Sequence, residues 1–233
     1  NGEAKIENLP IGLYYIKETK TDSKYLLNEE LTKIEVKEDD ISEVILENEK
    51  IKGQIRIIKT SSEDNFVTGE KEGEAIEGVE FGIYDENENL IETITTNEQG
   101  IAITSKLDKG IYKIKELENA KWYLNNNEIF IVDIDKAGEI KELEIENEPK
   151  RPEISIEKEG PQRVTENQEI KYDFKIENIG NVEINNFIWY DYLPYENAEI
   201  TKIETGTYNQ DLTYNLWYKT NMSGEYTGIN ERR

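Results

Sequence analysis

Apolar and polar residues alternate along most of this chain. Gln54-Ile55-Arg56-Ile57, Tyr112-Lys113-Ile114-Lys115 and Glu142-Leu143-Glu144-Ile145 each carry an apolar side chain at every second position. Residues two apart on a strand share a face, so this period predicts half-buried β-strands. Turn-forming runs such as Asn97-Glu98-Gln99-Gly100 and Asp108-Lys109-Gly110 separate them. No long helical stripe interrupts the pattern. The expected class is all-β, built from tandem antiparallel β-sandwich domains of Ig-like type.

The strand pattern repeats. Gly2, Ala4, Leu9, Gly12, Tyr14, Ile16, Lys17 and Glu18 are matched by Gly100, Ala102, Leu107, Gly110, Tyr112, Ile114, Lys115 and Glu116 at a constant offset of 98. Tyr25 and Leu26 continue the match to Tyr123 and Leu124, and Leu46-Glu47-Asn48-Glu49 answers Ile145-Glu146-Asn147-Glu148 after one inserted residue. A period near 100 residues indicates a tandem domain array rather than a short solenoid repeat. Residues 51–149 then form one complete unit, and residues 1–50 the second half of an earlier one. Glu148-Pro149-Lys150-Arg151-Pro152 reads as a short, stiff linker into a different domain at 150–233.

Parity along the strands singles out three polar residues. Lys59 follows Ile55 and Ile57 on an apolar face, Glu116 follows Tyr112 and Ile114, and Asn147 follows Leu143 and Ile145. In the half unit, Glu18 follows Tyr14 and Ile16, and Asn48 follows Val44 and Leu46. Two readings fit. Strands that end in solvent often end in polar residues. Alternatively, the three meet in the interior, where burial favours the neutral forms of an amine and an acid. A neutral Lys amine is a nucleophile, and a protonated Glu bonded to the Asn amide can shuttle protons. Attack on the Asn carbonyl with loss of ammonia would leave an isopeptide bond, the fold itself supplying proximity.

Composition narrows the alternatives. The chain of 233 residues carries 51 Asp and Glu against 28 Lys and Arg, a net charge of −23. Such a surface repels nucleic acid and anionic lipid, so no nucleic-acid partner is expected. Cys and His are both absent, which excludes disulfides, thiolate or imidazole metal sites and Cys or His catalysis. No apolar run is long enough to span a membrane. Asp85, Asn87 and Asn89 have the spacing that opens a calcium loop. The turn Gly and closing Glu of such a loop are missing, so a polar hairpin turn is expected there, with no metal and no cofactor. With Asn1 in place of Met and a polar stretch at Arg233, both ends are expected to be cuts in a longer protein.

At these residues the chain resembles a known family: the CnaB-type, SpaA-like repeats of Gram-positive surface proteins and pilins, with their prealbumin-like fold. The first-strand Lys of that family is matched in Ile57-Ile58-Lys59-Thr60, its second strand in Gly78-Val79-Glu80-Phe81-Gly82-Ile83-Tyr84-Asp85, and its partner Asn in Asn147-Glu148-Pro149. Its E-box spacing fits Tyr14, Ile16, Glu18, Thr19 and Tyr25, and again Tyr112, Ile114, Glu116 and Tyr123. Leu117 replaces the E-box Thr, and Asp22 and Lys24 replace its Pro and Gly. The resemblance covers about residues 1–150. It implies an isopeptide bond between Lys59 and Asn147 with Glu116 as proton relay. For Glu18 and Asn48 the amine partner would lie before Asn1.

Residues 150–233 resemble the start of a DUF11-like surface repeat, in Ile154 to Lys158, Tyr172 to Asn178-Ile179-Gly180, and Asp191-Tyr192-Leu193-Pro194. In related domains Lys158 and Asp191 would stand as amine and assisting acid; ordinary strand-end polarity is the preferred reading here. The function expected is a structural stalk or adhesin segment at a Gram-positive cell surface, not an enzyme. Unseen domains would bind a host or extracellular-matrix ligand, and an unseen C-terminus would be attached to the wall by sortase. A ligand-binding adhesin module, using Trp122, Trp189 or Trp217, and a noncatalytic appendage of a surface enzyme are the alternatives.

Overall fold

In the computed structural model, the described residues are 2–38, 41–192, 199–204, 206, 215–219 and 227–229. Leu193 and Pro194 of the third-region motif lie outside them. Strands account for all the regular structure among the described residues. The chain forms two compact units, Asn1–Asn185 and Asn186–Arg233.

The centre of the first unit is a two-sheet sandwich. Strands β1 (Gly12–Ile16) and β2 (Thr32–Val36) precede it as a separate hairpin. Then come β3 (Lys52–Ser61), β4 (Glu80–Tyr84), β5 (Leu90–Thr95), β6 (Ile101–Ile103), β7 (Leu107–Asp108), β8 (Gly110–Glu118), β9 (Ile129–Ile134) and β10 (Ile140–Asn147). One sheet runs β5-β4-β8-β9, antiparallel throughout. The other runs β10-β3-β6, with β7 also on β3. Alternation places Ile55 and Ile57 of β3, Phe81 and Ile83 of β4, Tyr112 and Ile114 of β8, Val132 and Ile134 of β9, and Ile145 of β10 in one buried core.

One pairing departs from the antiparallel rule. Strands β3 and β10, the first and last of the sandwich, lie parallel, with Lys59 opposite Ile145 and Ser61 opposite Asn147. Both therefore carry their apolar stripes toward the same end of the domain, and the residues that terminate those stripes come together there.

The hairpin of residues 1–50 has the same alternation, and among the described residues its two strands pair only with each other. Its inward residues Tyr14, Ile16, Ile34 and Val36 remain half-exposed. The segment 148–152 is pinned rather than free. Pro149 bridges Tyr123, the Lys150 N–H donates to the Trp122 carbonyl at 2.8 Å, and Asn181 binds the Pro149 carbonyl and the Arg151 N–H. Beyond it, β11 (Ile154–Glu159) and β12 (Asp173–Asn178) form an antiparallel pair. The second unit contains β13 (Leu216–Tyr218) paired with β14 (Thr227–Ile229).

Candidate functional site

Lys59, Glu116 and Asn147 are buried, at 0%, 7% and 2% exposure. Three strands deliver them. Lys59 is the fourth inward residue of β3 after Gly53, Ile55 and Ile57, Glu116 is the third of β8 after Tyr112 and Ile114, and Asn147 closes β10. Lys59 and Asn147 belong to one sheet and Glu116 to the other, so the triad bridges the sandwich.

The contacts are directional. Lys59 Nζ donates to Asn147 Oδ1 at 2.6 Å and to the Ile145 carbonyl at 3.2 Å. Asn147 Nδ2 donates to Glu116 Oε1 at 2.8 Å, and the Asn126 N–H donates to the same oxygen at 3.2 Å. Glu116 Oε2 is buried without a hydrogen-bond partner and lies 3.8 Å from Lys59 Nζ. The amide thus turns its carbonyl to the amine and its NH₂ to the acid. One carboxylate oxygen holds the amide, and the other faces the amine.

Burial disfavours the ammonium and pushes Lys59 down to about 8, against the opposing pull of the Glu116 and Glu146 carboxylates. The shift brings the amine closer to losing its proton near neutral pH than an exposed lysine.

The half unit holds two of the three groups. Asn48 Nδ2 donates to Glu18 Oε2 at 2.6 Å and to the Leu26 carbonyl at 2.9 Å, and the Asn28 N–H donates to Glu18 Oε2 at 2.8 Å. Both Glu18 and Asn48 are half-buried. In the third region Lys158 is exposed, its ammonium 4.5 Å from the Tyr172 ring centroid and 5.2 Å from that of Phe174. Asp191 is exposed and belongs to the second unit. Trp122 and Trp189 are about one-third exposed and Trp217 is 63% exposed.

Two contributors escaped the sequence reading. The Asn126 N–H steadies Glu116 as the Asn28 N–H steadies Glu18, and these two asparagines are themselves 98 apart, so the repeat carried the signal. The Ile145 carbonyl has no side-chain signature. At Asp85 the carboxylate accepts the Asn87 and Asn89 N–H groups, which makes the segment a hairpin turn. Among the described residues no group of three or more acidic side chains is placed to hold a metal.

Comparison with known proteins gives a consistent picture. The family model SpaA, described as a prealbumin-like fold domain, matches residues 1–50 and again 53–149. The chain is 45% identical over 53 residues to the trypsin-resistant surface T6 protein of Streptococcus pyogenes serotype M6, covering 23% of this chain and 10% of that protein. Among solved structures, the Bacillus anthracis TIE protein matches at 32% identity with a TM-score of 0.52, over 60% of this chain and 26% of that one. The T6 backbone pilin of Streptococcus pyogenes serotype M6 matches at 29% identity and a TM-score of 0.30, over 46% and 20%. The chain therefore spans about a tenth to a quarter of the length of these relatives.

Proposed function

The chain belongs to the SpaA family of prealbumin-like fold domains, and from that membership we propose that it is a stalk segment of a Gram-positive cell-surface protein whose complete domain is closed by a self-made isopeptide bond between Lys59 and Asn147. The observation that carries this reading is the 2.6 Å contact of Lys59 Nζ with the Asn147 carboxamide in a buried site shared with Glu116.

The reaction needs no external reagent. Glu116 Oε2 takes a proton from the Lys59 ammonium, leaving a neutral amine and a neutral acid, the pair that a dry interior favours. The amine attacks Asn147 Cγ. Glu116 gives its proton to the departing nitrogen, the C–Nδ2 bond breaks to release ammonia, and Nζ sheds its second proton to the Glu116 carboxylate as the new C–Nζ amide forms. Proximity is supplied by the parallel pairing of β3 and β10.

The bond would join residues 88 apart in sequence, nearly the whole domain. By the chain-entropy model a crosslink closing such a loop contributes about 4–5 kcal/mol. Its mechanical role is larger. Tension applied at the two ends would pass through the covalent link between first and last strands, and the sandwich between them would stay folded. In this reading residues 1–50 are the second half of a like domain, 51–149 the stapled domain, and 150–233 the start of a DUF11-like module in which Lys158 and Asp191 are the amine and acid candidates. The protein stands at the cell surface, held to the wall through sortase by segments outside this chain.

Intact mass tests the proposal. The chain is expected to weigh less than its sequence by one ammonia, with Lys59 and Asn147 recovered in one branched peptide. Glu116→Ala is expected to restore the full sequence mass. A wild-type chain at full mass would remove the staple from the function.

A further inference from the structure

Among the described residues Tyr123 is the largest fully buried side chain, yet it belongs to a connecting segment rather than a strand. Its position explains the burial. Each reactive residue is followed by chain that must leave the sandwich at the same end, and Tyr123 touches all three departing segments. After Lys59 comes the loop 62–75, and the Tyr123 hydroxyl donates to Glu70 Oε2 of that loop at 2.8 Å, beside the Ser61 and Asn65 side chains. After Glu116 comes the segment that carries Tyr123 itself, whose N–H donates to the Ala120 carbonyl at 3.0 Å. After Asn147 comes Pro149, which bridges Tyr123.

The loop 62–75 is organised to receive this contact. Buried Asn65 donates its backbone N–H to the Glu70 carbonyl at 2.8 Å, and its side-chain oxygen accepts the Val67 and Thr68 N–H groups. The loop then returns along the end of β3, where the Ser61 N–H donates to the Glu74 carbonyl and the Ile76 N–H to the Lys59 carbonyl. Opening it would expose the end of the sandwich at which the amine, acid and amide meet. Residues 1–50 carry the same connecting element: Tyr25 occupies the matching position and makes the matching bridge to Lys50.

We propose that Tyr123 is a positioning residue for isopeptide formation: its hydroxyl latches Glu70, closes the loop 62–75 over the reactive end of the sandwich, and keeps water from the Lys59 amine. The inference rests on the isopeptide reading for its consequence, but the seal itself is measurable without any bond. In a chain made unlinkable by Glu116→Gln, trace acetic anhydride would label lysines according to their access, with exposed Lys106 as internal reference. One hydrogen bond changes a closing equilibrium by about fivefold. Adding Tyr123→Phe, which retains the ring, is expected to raise Lys59 labelling by about that factor, and Glu70→Ala, which also removes the bond that Thr68 Oγ1 donates to Glu70 Oε2, to raise it at least as much. Because Tyr123→Phe removes a bond that Glu70→Ala already removes, the two together are expected to do no more than Glu70→Ala alone.

In the linkable chain, a short cell-free synthesis pulse followed by acid quenching at intervals would time the loss of ammonia. Tyr123→Phe is expected to slow it, and Glu70→Gln, which keeps an acceptor oxygen, to leave it near wild type. Unchanged Lys59 labelling, additive effects in the double variant, or raised labelling with an unslowed linking rate would each overturn the proposal. A parent chain that never links, with labelling still raised by Tyr123→Phe, would overturn the staple and leave the seal standing.

Discussion

Residues 1–50 and 53–149 contain the same acid–amide pair built in the same way. The Asn48–Glu18 bond spans 30 residues and the Asn147–Glu116 bond spans 31. Around them the backbone repeats as well. Leu26 N–H binds the Glu49 carbonyl as Leu124 N–H binds that of Glu148, and Tyr14 Oη binds the Pro10 carbonyl as Tyr112 Oη binds that of Asp108. What differs is the surroundings. Around Glu116 and Asn147 stand β3, its partner β6 and the loop behind it, and the pair is buried; around Glu18 and Asn48 no such strands stand among the described residues, and the pair is half-exposed. Geometry at this site is thus local, set by about thirty residues of chain, whereas dryness is non-local. Only the combination makes an amine reactive, because a hydrated ammonium has no reason to lose its proton.

The largest expected contrast is the amide itself. Asn147→Ala is expected to prevent the proposed crosslink, about 4–5 kcal/mol, and to leave Lys59 buried without its main acceptor, about 1–3 kcal/mol more. Asn48→Ala is expected to cost about 1 kcal/mol or less, since water replaces its contacts. Urea titration read by hydrogen exchange in β8 and in β1 separates the two. Equal losses at both sites would erase the distinction between local geometry and non-local burial.

Next in size are the two glycines that open the repeat. Gly2 and Gly100 have φ of +68° and +70°. A methyl group at Gly100 would meet the Lys59 carbonyl oxygen at 2.4 Å, whereas one at Gly2 would meet nothing within 4 Å. Alanine at Gly2 therefore bears only the left-handed backbone cost, about 1–2 kcal/mol. Alanine at Gly100 adds about 1–3 kcal/mol of overpacking and pushes on the residue that carries the amine. Incomplete linking is expected for Gly100→Ala, visible as a mixture of masses, and full linking for Gly2→Ala.

The relay makes a signed prediction about pH. The zwitterionic pair and the neutral amine–acid pair hold the same single proton, so they exchange without help from solvent. Linking is therefore expected to be flat below the Lys59 value of about 8. Above it the shared proton is lost and the rate falls by about tenfold per pH unit, equivalent to about 1.4 kcal/mol each. A rate that instead climbs through 8 to a plateau would mean that a bulk base deprotonates the amine and that Glu116 acts only through its charge. Quenched pulse-chase across pH 6 to 10 (a range of roughly two units either side of that value) distinguishes the profiles.

How much of this was written in the sequence follows from the kind of information alternation carries. Parity at Lys59, Glu116 and Asn147 gives the face each side chain takes, and the repeat gives its counterparts, so the residues of the site were legible. Parity says nothing of strand direction, and the parallel pairing of β3 with β10 is what sets Lys59 against Asn147 rather than apart from it. Nor can it tell whether a face is covered. Lys158 shares parity with Ile154 and Ile156 just as Lys59 does with Ile55 and Ile57, but β11 and β12 pair only with each other among the described residues, and Lys158 is exposed. Glu70 carried no signal at all. It is one of 51 acidic residues, and only the path of the loop 62–75 sets it apart.

The smallest effect belongs to the wet pair. The Asn28 N–H, and after it the Asn48 amide, hold the Glu18 carboxyl below its ordinary value. Because the folded value is depressed, the interaction stabilises the hairpin above the unfolded carboxylate value and is lost as pH falls through the folded one. Asn48→Ala removes the second contributor and leaves the first. The Glu18 carboxyl carbon, followed by NMR through an acid titration, is then expected to move partway toward the ordinary value and stop. Movement all the way would make the amide, rather than the backbone N–H, the group that fixes the acid; no movement would mean that acid and amide are neighbours without coupling. In either case the half unit would no longer model how the complete unit holds Glu116 ready before its amine arrives.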